Sequence, residues 1–224
     1  MQEQDFPSLY RSADDLSLKS QKHFFQALRI HLVLLVIAAT LSIISIPHWL
    51  VALAQLLALL GALGCSIYLF SVRPDRMWYS GRAVAESIKT VTWRYVCRAE
   101  PFQTENLIAK NDFRQTLKQI IEQNREVCES LTEHLDGEQF TQVMEQLRSQ
   151  SLEERKATYK NTRIKDQLTW YAKKAKFNRK MSKYFFWGLI GINSLAVICA
   201  AFRIIYINQS FWPTDVLVAI AASI

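Results

Sequence analysis

The sequence predicts an all-α, polytopic membrane protein: two transmembrane helical hairpins, four spans in all, with long cytoplasmic helices forming a bundle. Two adjacent apolar runs carry the first hairpin, Ile30–Ile46 and Trp49–Phe70, separated only by Pro47-His48. A second pair near the other end, Tyr184–Phe202 and Trp212–Ile224, repeats the arrangement. Charge is the third observation. Residues 30–70 and 184–224 hold only Arg203 and Asp215, whereas 71–183 hold 22 Lys/Arg and 15 Asp/Glu, a net +7 that equals the charge of the whole chain. Basic excess beside apolar spans is the positive-inside pattern of membrane proteins.

The chain opens on residues 1–10, where Asp5, Pro7 and Ser8 favour turns and predict a loose tail. Ser12-Ala13-Asp14-Asp15 fits a capping box with an acid in the usual Glu position, so a helix is expected from about Ala13 without a break into the first span. Pro47 and Trp49 suit a membrane interface, and the break there admits only an antiparallel hairpin. The second run, 22 residues without Asp, Glu, Lys or Arg, is about 33 Å long as a helix, enough for a hydrocarbon core of about 30 Å. Ala54, Ala58 and Ala62 form one stripe on it, with Gly61 and Cys65 on the next. Small residues four apart let helices approach closely in lipid. Gln55 is its one strongly polar side chain, read either as an interfacial or interhelical hydrogen-bonding group or as pore lining.

Pro74 is placed to start a post-span helix over 74–100, because its missing N–H falls where no intrahelical bond would form. Trp78, Ala85, Ile88, Thr92 and Tyr95 share one side of that helix. Arg82, Glu86 and Lys89 are spaced for i,i+3 and i,i+4 pairing. Together with Trp93 and Arg94 they are ligand- or partner-binding candidates, since Arg beside Trp can clamp a base and a phosphate. The plainer reading is a salt-bridged face packed on its neighbours. From Asn111 to about Leu131 an apolar stripe runs through Leu117, Ile120, Ile121, Val127, Cys128 and Leu131. Asp136-Gly137 breaks it, and a short helix then carries Phe140, Val143, Met144 and Leu147.

Ser151-x-x-Glu154 is a capping box that opens a long basic helix running into the third span. Its Lys173, Lys174, Lys176, Arg179, Lys180 and Lys183 read as an anchor on anionic head groups, with a ligand site as the other possibility. Asn193 lies mid-span, where an amide must face protein or water. It is read either as an interhelical tie or as part of a polar ring in an oligomeric pore, with Gln55, Ser42 and Ser45 as the other pore-lining candidates. Arg203 and Tyr206 are placed to reach the far interface. Within the fourth run only Val216–Ile224 is unbroken, about 13.5 Å as a helix, so the span reads as truncated. The short turns are poor in Lys and Arg. Both hairpins should therefore point outward, with the N-terminus and residues 71–183 cytoplasmic.

No catalytic, metal or cofactor constellation is visible. His23, His31, His48 and His134 stand apart, Cys65, Cys97, Cys128 and Cys199 form no C-x-x-C pair, and the six glycines form no phosphate loop. The expectation is a non-enzyme without a cofactor.

The halves echo each other. Arg11-x-x-Asp14-x-Leu16-Ser17 recurs as Arg163-x-x-Asp166-x-Leu168-Thr169 at a constant offset of 152, which also pairs Lys22 with Lys174. A charged helix precedes a hairpin in each. This organises the chain as 1–102, a first repeat with spans near 30–46 and 49–70; 103–150, variable cytoplasmic helices; and 151–224, a second repeat with spans near 184–203 and from 212 onward.

YRSADDLSLKSQ before the first span, PDRMWYSGRAVAESIKTVTWRYVCRAEPF after the second and RIKDQLTWYAKKAKFN before the third resemble the SLATT family. The resemblance covers most of the chain outside 103–150. It implies a two-span effector module of prokaryotic conflict systems, here duplicated, working with proteins that make or sense nucleotide signals. It further implies a pore in the bacterial inner membrane, opened by a nucleotide or oligonucleotide or by a nucleotidyltransferase-type partner. Because two to four spans cannot enclose a channel alone, a homo-oligomer is expected, a tetramer being favoured. The alternative is a membrane-anchored scaffold whose cytoplasmic helices, with their 111–147 stripes, bind a partner without forming a pore.

Overall fold

The structure is a computed structural model that describes residues 1–43, 48–134 and 136–205. Those residues contain helices and turns and no strand. The chain divides into two compact units. The first, Met1–Phe24 with Arg73–Tyr171, is a helical head; the second, Phe25–Val72 with the chain from Ala172 onward, holds the apolar helices.

In the head the N-terminal segment is part of the core, not a tail. A 3₁₀ turn at Glu3–Asp5 leads into α1, Ser8–Ile43. Phe6, in extended backbone ahead of the helix, and Tyr10 and Ala13 on α1 are buried in the core of the head. Thr141 Oγ1 donates to the Asp5 carbonyl at 2.7 Å and Ser8 Oγ to the Gly137 carbonyl at 2.9 Å. A Cβ on Gly137 would fall 2.6 Å from Ser8 Cβ, so the approach requires glycine there. The helix therefore starts four residues before the expected cap at Ser12, whose buried hydroxyl donates to the carbonyls of Ser8 and Glu133 instead. Long-range burial overrode the local capping signal.

Helix α3, Pro74–Val96, is the central element of the head, with Pro74 in its first turn as expected. Val84, Ala85, Ile88, Thr92, Tyr95 and Val96 are all buried. Against them pack Ala109, Phe113, Leu117 and Ile120 of α4, Asn106–Gln123, and Met144 and Leu147 of α6, Gln142–Ser149. α3 stops at Val96, not at residue 100, because Arg98 turns into the left-handed region at φ 52°. The stripe of 111–131 is split as well. Asn124 ends α4 by donating Nδ2 to the Ile120 carbonyl at 2.8 Å, and a short α5 follows at Arg125–Glu129.

Arg148 of α6 ties the loop after α3 to the core. It is almost wholly buried. Its guanidinium donates to the Tyr95, Phe102 and Thr104 carbonyls at 2.5, 3.0 and 3.1 Å and to Asn106 Oδ1 at 3.1 Å. It also stacks 4.6 Å from the centre of the Tyr95 ring. A buried cation is tolerable when its donors are satisfied in this way. The Ser151–Glu154 capping box is present and opens α7, Leu152–Thr158. A π-helical turn, Tyr159–Ile164, then joins α7 to α8, Lys165–Ile205. The long basic helix thus forms as expected, with a π insertion that its sequence does not announce.

In the second unit α1 pairs with α2, Trp49–Val72. His31 meets the Ala62 carbonyl at 3.0 Å, while Leu34 lies over Gly61. Rising numbers on one helix meet falling numbers on the other, so the pair is antiparallel. Ala27 and Ala38 on α1 and Ala58 and Ala62 on α2 are buried, whereas Ala54 of the expected stripe is exposed. Outward-facing residues such as Ile30, Val33, Leu56, Leu57 and Leu60 stay exposed. Three described helices are long and apolar enough to cross a membrane. The chain is an all-α membrane protein. The fourth apolar run, the Ser45 candidate and Tyr206 lie outside the described residues.

Candidate functional site

The sequence singled out Arg82, Glu86, Lys89, Trp93 and Arg94 as one cluster. The helical turn of α3 separates them. Arg82, Glu86, Lys89 and Trp93 line a cleft of about 610 Å³ in the head, closed by Phe6, Tyr10 and Asp14 on one side and by Arg163, Asp166 and Trp170 on the other. Arg94 lies instead on a smaller cavity of about 360 Å³, bounded by Cys97, Leu152, Arg155, Lys156 and Tyr159. Trp93 is part of both walls.

The large cleft is organised by a chain of charges. Arg82 donates to Asp14 Oδ1 at 2.8 Å and to Glu86 Oε1 at 2.7 Å, and Arg163 reaches Glu86 Oε2 at 3.4 Å. Asp14 comes from α1, Arg82 and Glu86 from α3, and Arg163 from the π-helical turn, so the chain joins three elements. The Arg82–Glu86 pairing at i,i+4 is the one the spacing predicts; Lys89 takes another course. Its ammonium sits 5.4 and 5.3 Å from the Phe6 and Tyr10 ring centres and donates to Tyr10 Oη at 3.4 Å. Burial pulls its pKa below the ordinary lysine range. A hydrogen bond with Asp14, aided by burial, raises the Glu3 carboxyl above its usual value.

Trp93 is 4 % exposed and its indole N–H, buried, has no partner among the described residues. Its ring meets Phe6 at 6.2 Å and Tyr159 at 5.4 Å, both edge-on. The cleft therefore offers aromatic walls with both signs of charge, and the smaller cavity offers cations over an apolar floor. Sequence reasoning missed Phe6, Tyr10, Arg155 and Tyr159, because each reaches its cavity from an element distant in sequence. The repeated Arg-x-x-Asp was the only available signal for Asp14 and Arg163.

The membrane candidates are dispersed. Asn193 is exposed on α8 and donates Nδ2 to the Leu189 carbonyl of its own helix at 2.8 Å. Gln55 is half-exposed on α2 and Ser42 exposed near the end of α1. Lys173, Lys174, Lys176, Arg179, Lys180 and Lys183 are all exposed on α8, with Lys180 5.6 Å from the Tyr184 ring centre. His31, passed over as isolated, bridges the hairpin through Ala62. Among the described residues no group of three His, Cys, Asp or Glu is placed to hold a metal ion.

Residues 7–156 match the family described as "SMODS and SLOG-associating 2TM effector domain 3", and residues 159–224 match "SMODS and SLOG-associating 2TM effector domain 1". The two matches abut at the π-helical turn. Neither a curated protein nor a solved structure matches the chain. The first match alone spans more than half of the residues, and the two together place the chain, as a two-module form, in the SLATT family of membrane effectors.

Proposed function

We propose that this chain is the pore-forming effector of a bacterial anti-phage defence system. It assembles as a homo-oligomer, most economically a tetramer, into a gated pore in the inner membrane and breaks the permeability barrier on a nucleotide- or partner-derived signal. The N-terminus and residues 71–183 are cytoplasmic in this reading, following the positive-inside pattern. The chain has no catalytic part in it and uses no cofactor.

The observation that carries the reading is the double match to two-span effector modules. Two features support it. The α1–α2 hairpin buries small residues in its seam and leaves its large apolar side chains exposed, a pattern suited to lipid and to neighbouring spans. Helices α1 and α8 each contribute residues to both units, so α1, which holds Asp14 of the charge chain, and α8, which follows the π-helical turn of Arg163, continue as apolar helices. The scaffold reading is less well supported. Of the stripes a partner would use, Leu117, Ile120, Val127, Leu131, Met144 and Leu147 are in the buried core of the head, Cys128 and Phe140 pack against it half-buried, and Ile121 and Val143 are exposed.

The test is purified protein in liposomes, with oligomer mass and dye or ion flux read together. Triggered flux from an oligomer, with depolarisation on expression in bacteria, is the expected result. Protein that stays monomeric and passes nothing with its trigger present overturns the reading. Asn193→Leu sharpens it: an amide lining the pore predicts lower unitary current in assembled protein, because a narrow apolar ring dewets.

A further inference from the structure

We propose that the smaller head cavity binds a small organic anion: a flat ring system carrying a phosphate or similar oxyanion. The inference deepens the proposed trigger by assigning it a place and a chemistry, and rests on that reading only for its biological meaning.

Charge is the first argument. Arg94, Arg155, Lys156 and Arg163 line this cavity of about 360 Å³, and among the described residues no carboxylate does. Lys156 and Arg163 are paired elsewhere, to Glu153 at 3.1 Å and to Glu86 at 3.4 Å. Arg94 and Arg155 form no ion pair among the described residues; each donates only to a backbone carbonyl, of Glu100 and Gln150 respectively. Two guanidiniums gathered in one recess without a counter-charge repel one another, and an oxyanion is what relieves them.

Unmet donors are the second. Trp93 Nε1 and Arg155 Nε are both buried without a partner among the described residues; Arg155 lines this cavity and Trp93 the wall it shares with the larger cleft. Buried N–H groups left unpaired are uncommon in folded proteins, so two around one recess point to an acceptor arriving from outside. The ligand's body follows from the rest of the wall. Trp93, Tyr159 and Leu152 provide aromatic and apolar surface, which suits a flat ring. The volume is near the lower end of small-molecule sites, about 300–1,000 Å³, and excludes an oligonucleotide. Tyr159 also opens the π-helical turn, a feature frequent at functional sites.

The wild-type chain carries its own reporter, since Cys97 lines the cavity while Cys128, equally half-buried, does not. Full-length protein in zwitterionic nanodiscs is alkylated in the presence of adenosine 5′-monophosphate, adenosine, inorganic phosphate or short-chain phosphatidic acid. Modification of each cysteine is followed by mass spectrometry. Adenosine 5′-monophosphate should slow Cys97 at least about fivefold, leave Cys128 unchanged and lose its effect as salt is raised. Arg94→Gln with Arg155→Gln should weaken its binding, measured by calorimetry, at least tenfold, while Arg82→Gln in the other cleft should not. Unchanged Cys97 reactivity with the mononucleotide overturns the proposal. So does equal protection by adenosine, which would remove the oxyanion, or protection by phosphatidic acid alone, which would remove the flat body. These readings involve no conductance, so failure of the pore and failure of the site are separate results.

Discussion

The head and the membrane hairpin are both built from helices, yet they bury opposite residues. The head encloses its largest side chains: Tyr95, Phe102, Phe113, Ile88 and Met144 are essentially inaccessible. The hairpin encloses its smallest, Ala27, Ala38, Ala58 and Ala62, and leaves Leu, Ile and Val outside. The difference follows from solvent. In water, removing apolar surface is the dominant favourable term, so bulk goes inward. In lipid that term vanishes between helices, and close backbone approach with dispersion contact decides the seam. One chain thus carries two packing rules, switched along α1 within a single helix.

The comparison breaks most sharply at Arg148. Arg148→Met removes every donor that this side chain supplies; it leaves the buried Phe102 carbonyl unpaired, at about 1–3 kcal/mol, and the Tyr95 carbonyl with only its backbone contact from the Arg98 N–H. The head should lose its amide-exchange protection and become protease-sensitive while the α1–α2 hairpin stays helical. Equal protection of the head in the variant would show that the guanidinium is not what holds the loop.

Gly61→Leu is the corresponding test of the hairpin. A Cβ there already falls 2.9 Å from Leu34 Cδ1, so a full Leu should force the helices apart at about 1–3 kcal/mol. The detergent-induced unfolding midpoint of the membrane helices should drop, and the proteolysis pattern of the head should stay as in the parent. A smaller effect is expected for the repeated acids. Asp14→Asn removes the charge of a buried carboxylate but keeps an acceptor for the half-exposed Arg82, and should cost about 1–2 kcal/mol; Asp166→Asn, exposed on α8, should change stability by nothing measurable.

The smallest effect concerns pH. The Glu3 carboxyl is raised above 4.5 by its hydrogen bond with Asp14, so its contribution is fully present below that ordinary value and is lost as pH rises through the folded pKa. Amides of the N-terminal 3₁₀ turn should be better protected in mild acid than at neutrality. Glu3→Gln, which keeps a donor at every pH, should abolish that difference.

Much of this molecule is written in local sequence. The uncharged runs determine the apolar helices, because length and hydropathy alone select a membrane-competent segment. Ser151 and Glu154 determine a helix start through a bond three residues long. The Arg-x-x-Asp repeat and the block after α2 carry the family. What tertiary structure alone decided are the placements that depend on distant partners. Phe6 and Tyr10 look like part of a tail until α3 offers a surface; Ser12 looks like a cap until Glu133 accepts from it. Arg94 leaves its cluster because a helix turns 100° per residue, and Arg155 meets it because α7 and the end of α3 line the same cavity. Periodicity reports which side of a helix is apolar, but the identity of the surface opposite is set by contacts far apart in sequence.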